Sequence, residues 1–182
     1  MLLFINLLTI SRIIFGLIIF MMLTRTDYYW MALILFFISG ITDYFDGYLA
    51  RKYKLTSVLG EILDPIADKI LIVFLFFAIS ISLSSFYIGF IAAVIITREV
   101  WVGALRDLNA RTSMSAATKV TFIAKLKTTM QLFTISVYLL GLSLNNMLIL
   151  LFADIFLLIS LIITLYTGYI YTYNSFFNEK NF

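Results

Sequence analysis

Long stretches without a single charged side chain constrain this chain more than any other feature. They run over 13–24, 28–42, 70–97, 128–153 and 155–178. A helix crossing the hydrocarbon core of a bilayer takes roughly 20 residues. The 70–97 stretch exceeds one crossing and carries Ser80, Ser82, Ser84 and Ser85, a polar knot that predicts a turn between two spans. Asn145 and Asn146 predict a second such turn. The spacing thus predicts an all-α integral membrane bundle of six transmembrane helices over 3–24, 28–51, 60–82, 86–108, 121–143 and 147–172. One proline and eight glycines in 182 residues agree with long helices rather than a sheet or linkers. With 63% apolar residues, a chain of this length could not hide its apolar surface in one water-soluble core. No repeat or composition shift divides it, so residues 1–182 read as one domain. The N-terminal stretch shows neither a positive leading region nor a small-residue cleavage site, so it reads as a span rather than a signal peptide.

The chain has no cysteine and no histidine. Thiolate metal sites, cysteine nucleophiles, histidine bases and histidine-ligated zinc are excluded, leaving carboxylates, lysines, arginines and hydroxyls for any chemistry. On the span map, Arg51, Lys52, Lys54, Arg106, Arg111, Lys119, Lys125, Lys127 and Lys180 fall on one side and Arg25 on the other. The excess of positive loops predicts that this side, with both termini, is cytoplasmic. Nucleic acid is not an expected partner; membrane lipids are.

Seventeen of the 23 charged residues lie between Asp43 and Lys127, which focuses the search there. Asp43, Asp46, Gly47 and Ala50 share one face of the second span, and Gly60, Asp64 and Asp68 share one face of the third. The short connection at 52–59 predicts that these two helices are antiparallel neighbours with facing acidic surfaces. Four converging carboxylates repel one another, and hard divalent cations on oxygen ligands relieve that, with Mg²⁺ the commonest near phosphate substrates. Small residues at Gly47, Ala50 and Gly60 leave room for a ligand near the backbone. Pairing of these aspartates with Lys52, Lys54 and Lys69 at the membrane surface is the competing account, and the register across two helices weighs against it. Asp27, Asp107, Asp154 and Glu179 read as ordinary surface or flanking charges.

Read as a string, residues 43–68 fit D-x2-D-G-x2-A-R-x8-G-x3-D-x3-D at all eight fixed positions. This resembles the signature of the CDP-alcohol phosphotransferases, membrane enzymes that build phospholipid headgroups. The segment NLLTISR at 6–12 resembles that family's N-terminal segment, without the proline often found there. TREVWVGALRD at 97–107 and AKLKTTMQ at 124–131 resemble the bacterial branch whose acceptor is sn-glycerol 3-phosphate, with Ala124 where glycine is usual. Residues 132–182 match only as generic spans.

The resemblance implies a six-span fold, a homodimer, a cytoplasmic active site and residence in a bacterial inner membrane. It implies transfer of the phosphatidyl group of CDP-diacylglycerol to glycerol 3-phosphate with release of CMP. It implies two Mg²⁺ ions, with Mn²⁺ as an alternative, held by Asp43, Asp46, Asp64 and Asp68, and Asp68 as the general base. Thr42, Gly47, Ala50, Arg51 and Gly60 match positions around the cytidine nucleotide. Because the acceptor carries its own phosphate, Arg98, Arg106, Lys125 and Lys127 are the candidates to hold it. Loop anchoring is the plainer account of Arg106, Lys125 and Lys127, and an ion pair with Glu99 that of Arg98. Other acceptors (serine, inositol phosphate, a phosphatidyl lipid), a membrane prenyltransferase and a cation transporter are the remaining alternatives. A transporter predicts charges spread through the membrane depth rather than gathered at one face.

Overall fold

The computed structural model describes residues 2–53, 58–112 and 122–177. Among them the secondary structure is entirely helical, in six helices: α1 (Leu2–Arg25), α2 (Tyr29–Tyr53), α3 (Val58–Ser82), α4 (Phe86–Arg111), α5 (Phe122–Leu144) and α6 (Met147–Phe176). Each coincides with one of the six stretches read from the sequence. Lys54, Lys119 and Lys180 lie outside the described residues.

The two polar turns form as the sequence predicts, and the chemistry is the same at both. Ser84 and Asn145 adopt left-handed backbone, each with φ of 48°. The next amide then bonds back five residues, Ser85 N to Ser80 O at 2.9 Å and Asn146 N to Gly141 O at 3.0 Å, which closes the preceding helix. The following helix starts at once. Ser85 Oγ caps α4 by accepting from Ile88 N, and Asn146 Oδ1 caps α6 by accepting from Leu148 N at 3.0 Å.

The helices pack as a closed ring in the order α1–α2–α5–α6–α4–α3, with α3 also touching α5 across it. The core along this ring includes Ile19, Leu75, Phe76, Ile79, Ile135, Tyr138, Leu139 and Leu157. One expectation changes here. Among the described residues α2 and α3 do not form one of the packed pairs; α1 packs on both. A short connection holds two helix ends close but leaves their faces free to take other partners. Gly16 lets α1 take that place, because a Cβ there would meet Leu71 of α3 at 3.3 Å.

Large apolar side chains also cover the outside, among them Phe86, Phe90, Val100, Met147, Leu148 and Ile162. A surface of this kind is stable against lipid rather than water. Within the described residues, Leu7–Arg25, Phe86–Arg111 and Met147–Phe176 are long and apolar enough to cross a membrane. The chain is an all-α membrane protein.

Candidate active site

Arg12, Asp43 and Asp68 share one depth in the bundle. Arg12 lies ten residues after the start of α1, Asp43 ten before the end of α2, and Asp68 ten after the start of α3. At a rise of about 1.5 Å per residue, each stands roughly 15 Å in from the same end of the bundle. One guanidinium nitrogen, Arg12 Nη1, bonds Asp68 Oδ1 at 2.5 Å and also contacts Asp43 Oδ1. The guanidinium is sealed in, with Arg12 at 1% exposure, while Asp43 and Asp68 remain 49% and 43% exposed. The acidic faces of α2 and α3 are thus brought together through a cation supplied by α1.

Arg12 is the residue that motif reasoning missed as part of the site. The available signal was its isolation: it is the one charged residue of α1 before Arg25, and an ionisable group inside an apolar helix needs a partner.

Gly47 is half-buried one turn beyond Asp43. Thr42 turns its hydroxyl into its own helix, donating to Ser39 O at 2.8 Å. Asp46, Ala50 and Arg51 on α2, Gly60 and Asp64 on α3, and Lys125 on α5 hold helical positions, but their side chains lie outside the described ones.

Asp68 also forms part of the wall of a cavity of about 860 Å³ bordered by α1, α3, α4, α5 and α6. Ile13, Ile72, Phe74 and Ile95 make part of it apolar, and its charged lining comprises Asp68, Lys69, Arg98, Glu99, Arg106 and Lys127. Four cations against two carboxylates leave an excess of positive charge, which suits an anion.

Three of the four residues expected at the acceptor phosphate therefore meet here. Arg98 Nη1 donates to Glu99 Oε1 at 2.9 Å, and Lys127 Nζ donates to that same oxygen from α5. Arg98 Nη2 donates to Thr167 Oγ1 on α6 at 2.6 Å. The guanidinium carbons of Arg98 and Arg106 lie 5.9 and 5.6 Å from the centre of the Tyr171 ring, a cation–π arrangement shared by two arginines. The ion pair anticipated for Arg98 is formed, and the same side chain lines the cavity.

Residues 2–166 match the family model of the CDP-alcohol phosphatidyltransferases. A CDP-diacylglycerol–glycerol-3-phosphate 3-phosphatidyltransferase of Rickettsia bellii is 38% identical over 142 residues, covering 78% of this chain and 76% of the relative. Proteins of the same name from Escherichia coli K12 and Cereibacter sphaeroides are 33% and 41% identical. The first match covers 70% of this chain and 71% of the relative, the second 65% and 53%. The chain thus spans about half the length of the Cereibacter protein.

Proposed function

Because this chain belongs to the CDP-alcohol phosphatidyltransferase family, we propose that it transfers the phosphatidyl group of CDP-diacylglycerol to sn-glycerol 3-phosphate. The products are phosphatidylglycerol phosphate and CMP. The observation that carries this reading is the position of Asp68. Among the described residues it alone belongs both to the carboxylates gathered by Arg12 and to the cavity with the cationic wall. An acceptor whose phosphate rests against Arg98, Arg106 and Lys127 would have its hydroxyl end within the same cavity as Asp68. A carboxylate there is suited to take the hydroxyl proton as the donor's phosphorus–oxygen bond to CMP breaks. Lys125, two residues before the buried Lys127 on α5, is included as a fourth contact to the phosphate.

The donor set fits a hard divalent cation. Asp43 and Asp68 already aim oxygens at one cationic atom and keep about half their surface open. Asp46 and Asp64 follow at helical spacing on the same two helices. Asp43, Asp46, Asp64 and Asp68 would hold Mg²⁺, or Mn²⁺ in its place, as two ions. When bound, such ions supply positive charge beside the donor's pyrophosphate. Thr42, Gly47, Ala50, Arg51 and Gly60 would line the cytidine side, with Arg51 able to grip a phosphate oxygen.

Six spans belong to the same proposal. The helices are 23 to 30 residues long, or roughly 35–45 Å at the α-helical rise, against a hydrocarbon core of about 30 Å. The concentration of Lys and Arg at one end supports a cytoplasmic position for that end, the site and both termini, with the bundle in a bacterial inner membrane. A homodimer completes the reading.

The test is direct. Purified protein in detergent with CDP-diacylglycerol and Mg²⁺ is offered one alcohol at a time, and CMP is measured. Release with glycerol 3-phosphate, abolished by EDTA and restored by Mg²⁺, is the expected result. Release only with serine, inositol phosphate or a phosphatidyl lipid would overturn the acceptor assignment. Release that is indifferent to EDTA would overturn the metal.

A further inference from the structure

Helix α6 reads in the sequence as a generic span, yet its buried face is unlike that of one. Ser160, Thr164, Thr167, Gly168, Tyr171 and Ser175 turn inward at helical spacing. Five of the six carry hydroxyls, where an apolar helix packed by dispersion alone would offer leucine and isoleucine. Thr167 and Gly168 meet Arg98, which is only 7% exposed.

The Thr167 hydroxyl bonds in two directions. Its proton is directed back into its own helix, towards Ile163 O at 2.9 Å and Thr164 O at 3.0 Å. A hydroxyl has one proton, so towards Arg98 Nη2 the oxygen acts as an acceptor, at 2.6 Å. Gly168 supplies the space. A Cβ there would lie 3.0 Å from both Cγ and Nε of Arg98, tighter than nine in ten real contacts of that kind. The arginine stem therefore runs across the bare backbone of α6. Its Nε is buried with no hydrogen-bond partner among the described residues, so direction is imposed at Nη1 by Glu99 and at Nη2 by Thr167. Glu99 is the adjacent residue on the same helix; Thr167 is the tertiary contact that fixes where the guanidinium points.

We propose that Thr167 and Gly168 are positioning residues that aim the Arg98 guanidinium into the cavity, where it takes the phosphate monoester of the acceptor. This rests on the reading of Arg98 as an acceptor contact, and the experiment separates the two. Steady-state kinetics are measured with each substrate varied for Arg98→Gln, Thr167→Val, Thr167→Ser, Gly168→Ala and the double variant Arg98→Gln/Thr167→Val. Arg98→Gln should raise KM for glycerol 3-phosphate by about tenfold or more, as expected for loss of a charge-assisted contact. Thr167→Val keeps the shape and removes the acceptor, and should raise the same KM on the order of fivefold. The KM for CDP-diacylglycerol should stay within about twofold. Thr167→Ser restores the oxygen and should restore the KM; Gly168→Ala should behave like Thr167→Val or worse. In the Arg98→Gln background, Thr167→Val should add nothing further, because its effect acts through Arg98.

An unchanged acceptor KM in Arg98→Gln overturns the acceptor reading itself. A large effect there with wild-type behaviour in both Thr167→Val and Gly168→Ala overturns the positioning role alone. Equal damage to both substrates, or an undiminished Thr167→Val effect in the double variant, also overturns it by showing a merely structural residue. If Thr167→Val does not fold, Gly168→Ala and the serine variant carry the same comparison.

Discussion

The two charged clusters at this end of the bundle are mirror images. In one, a cation from α1 is shared by two carboxylates, Asp43 and Asp68. In the other, a carboxylate on α4 is shared by two cations, Arg98 and Lys127. Counted over these named residues, the first carries one net negative charge and the second one net positive charge. Those are the signs needed to attract a metal cation and a phosphate respectively. The clusters also differ in which partner is covered. Arg12 is sealed and its carboxylates open outward, whereas Arg98 and Lys127 are both buried and Glu99 between them is 18% exposed. In low-dielectric surroundings a buried charge persists only when paired. Sharing one counter-charge between two ligand-facing groups meets that need while leaving a net field for the ligand. Asp68 joins the two clusters, because it belongs to the first and lines the cavity of the second.

The sharpest way to break this pairing is at Asp68. Asp68→Asn keeps the size and an acceptor but removes both the negative charge and the proton-accepting capacity. Turnover with glycerol 3-phosphate should fall by about 10²–10⁴-fold, the range typical of general acid–base groups. Binding of CDP-diacylglycerol, followed by isothermal titration in detergent with Mg²⁺, should survive in part through Asp43, Asp46 and Asp64. Wild-type turnover in this variant would exclude the base role.

Arg12→Met tests whether the first cluster is a counter-charge arrangement. Removing a buried partner costs roughly 3–5 kcal/mol, and the half-exposed aspartates reduce this to about 1–3 kcal/mol. Tm in EDTA should drop accordingly. On the proposed metal role, a divalent cation would compensate the same carboxylates, and the deficit relative to wild type should then shrink in millimolar Mg²⁺. An equal deficit with and without Mg²⁺ would mean that Arg12 serves packing alone.

The reciprocal change in the second cluster is Glu99→Gln. It leaves an acceptor for one cation and removes the shared negative charge. Stability should fall by about 1–3 kcal/mol as Arg98 and Lys127 face each other uncompensated. Inorganic phosphate, which can supply the missing charge, should inhibit at concentrations several-fold lower than in wild type. Phosphate inhibition that weakens in this variant would contradict an anion-binding second cluster.

The contrast also explains which parts of the molecule were legible in the sequence. Helix bounds and turns were, because uncharged stretches and the Ser84 and Asn145 turns are local signals. The candidate aspartates were marked by spacing within single helices. Arg12 was not, because its meaning depends on α1 packing against both α2 and α3, and its contact with Asp68 spans 56 residues. Spacing suggested that α2 and α3 would face each other directly, but a short link constrains helix ends and not helix faces. Thr167 was hidden for a related reason: a threonine in an apolar helix is common, and only the arrival of Arg98 across 69 residues distinguishes it.

Asp154 supplies the smallest and most diagnostic comparison, a carboxylate in neither cluster. It lies seven residues after the start of α6, at the end of the bundle away from Arg12, and its Oδ1 accepts from the fully buried Tyr138 hydroxyl at 2.5 Å. Its partner here is a phenol rather than a cation, so its contribution is a hydrogen bond tying α6 to α5. Asp154→Asn retains an acceptor for Tyr138 and should leave kcat and both KM values within about twofold, with Tm nearly unchanged. Asp154→Leu strands the buried phenol and should cost about 1–3 kcal/mol, read as a lower Tm in detergent. Its kinetics should still match wild type at temperatures where the protein is folded. A shift in the KM for glycerol 3-phosphate in either variant would show that charge at the far end of the bundle reaches the cavity. The functional field would then no longer be confined to the two mirrored clusters.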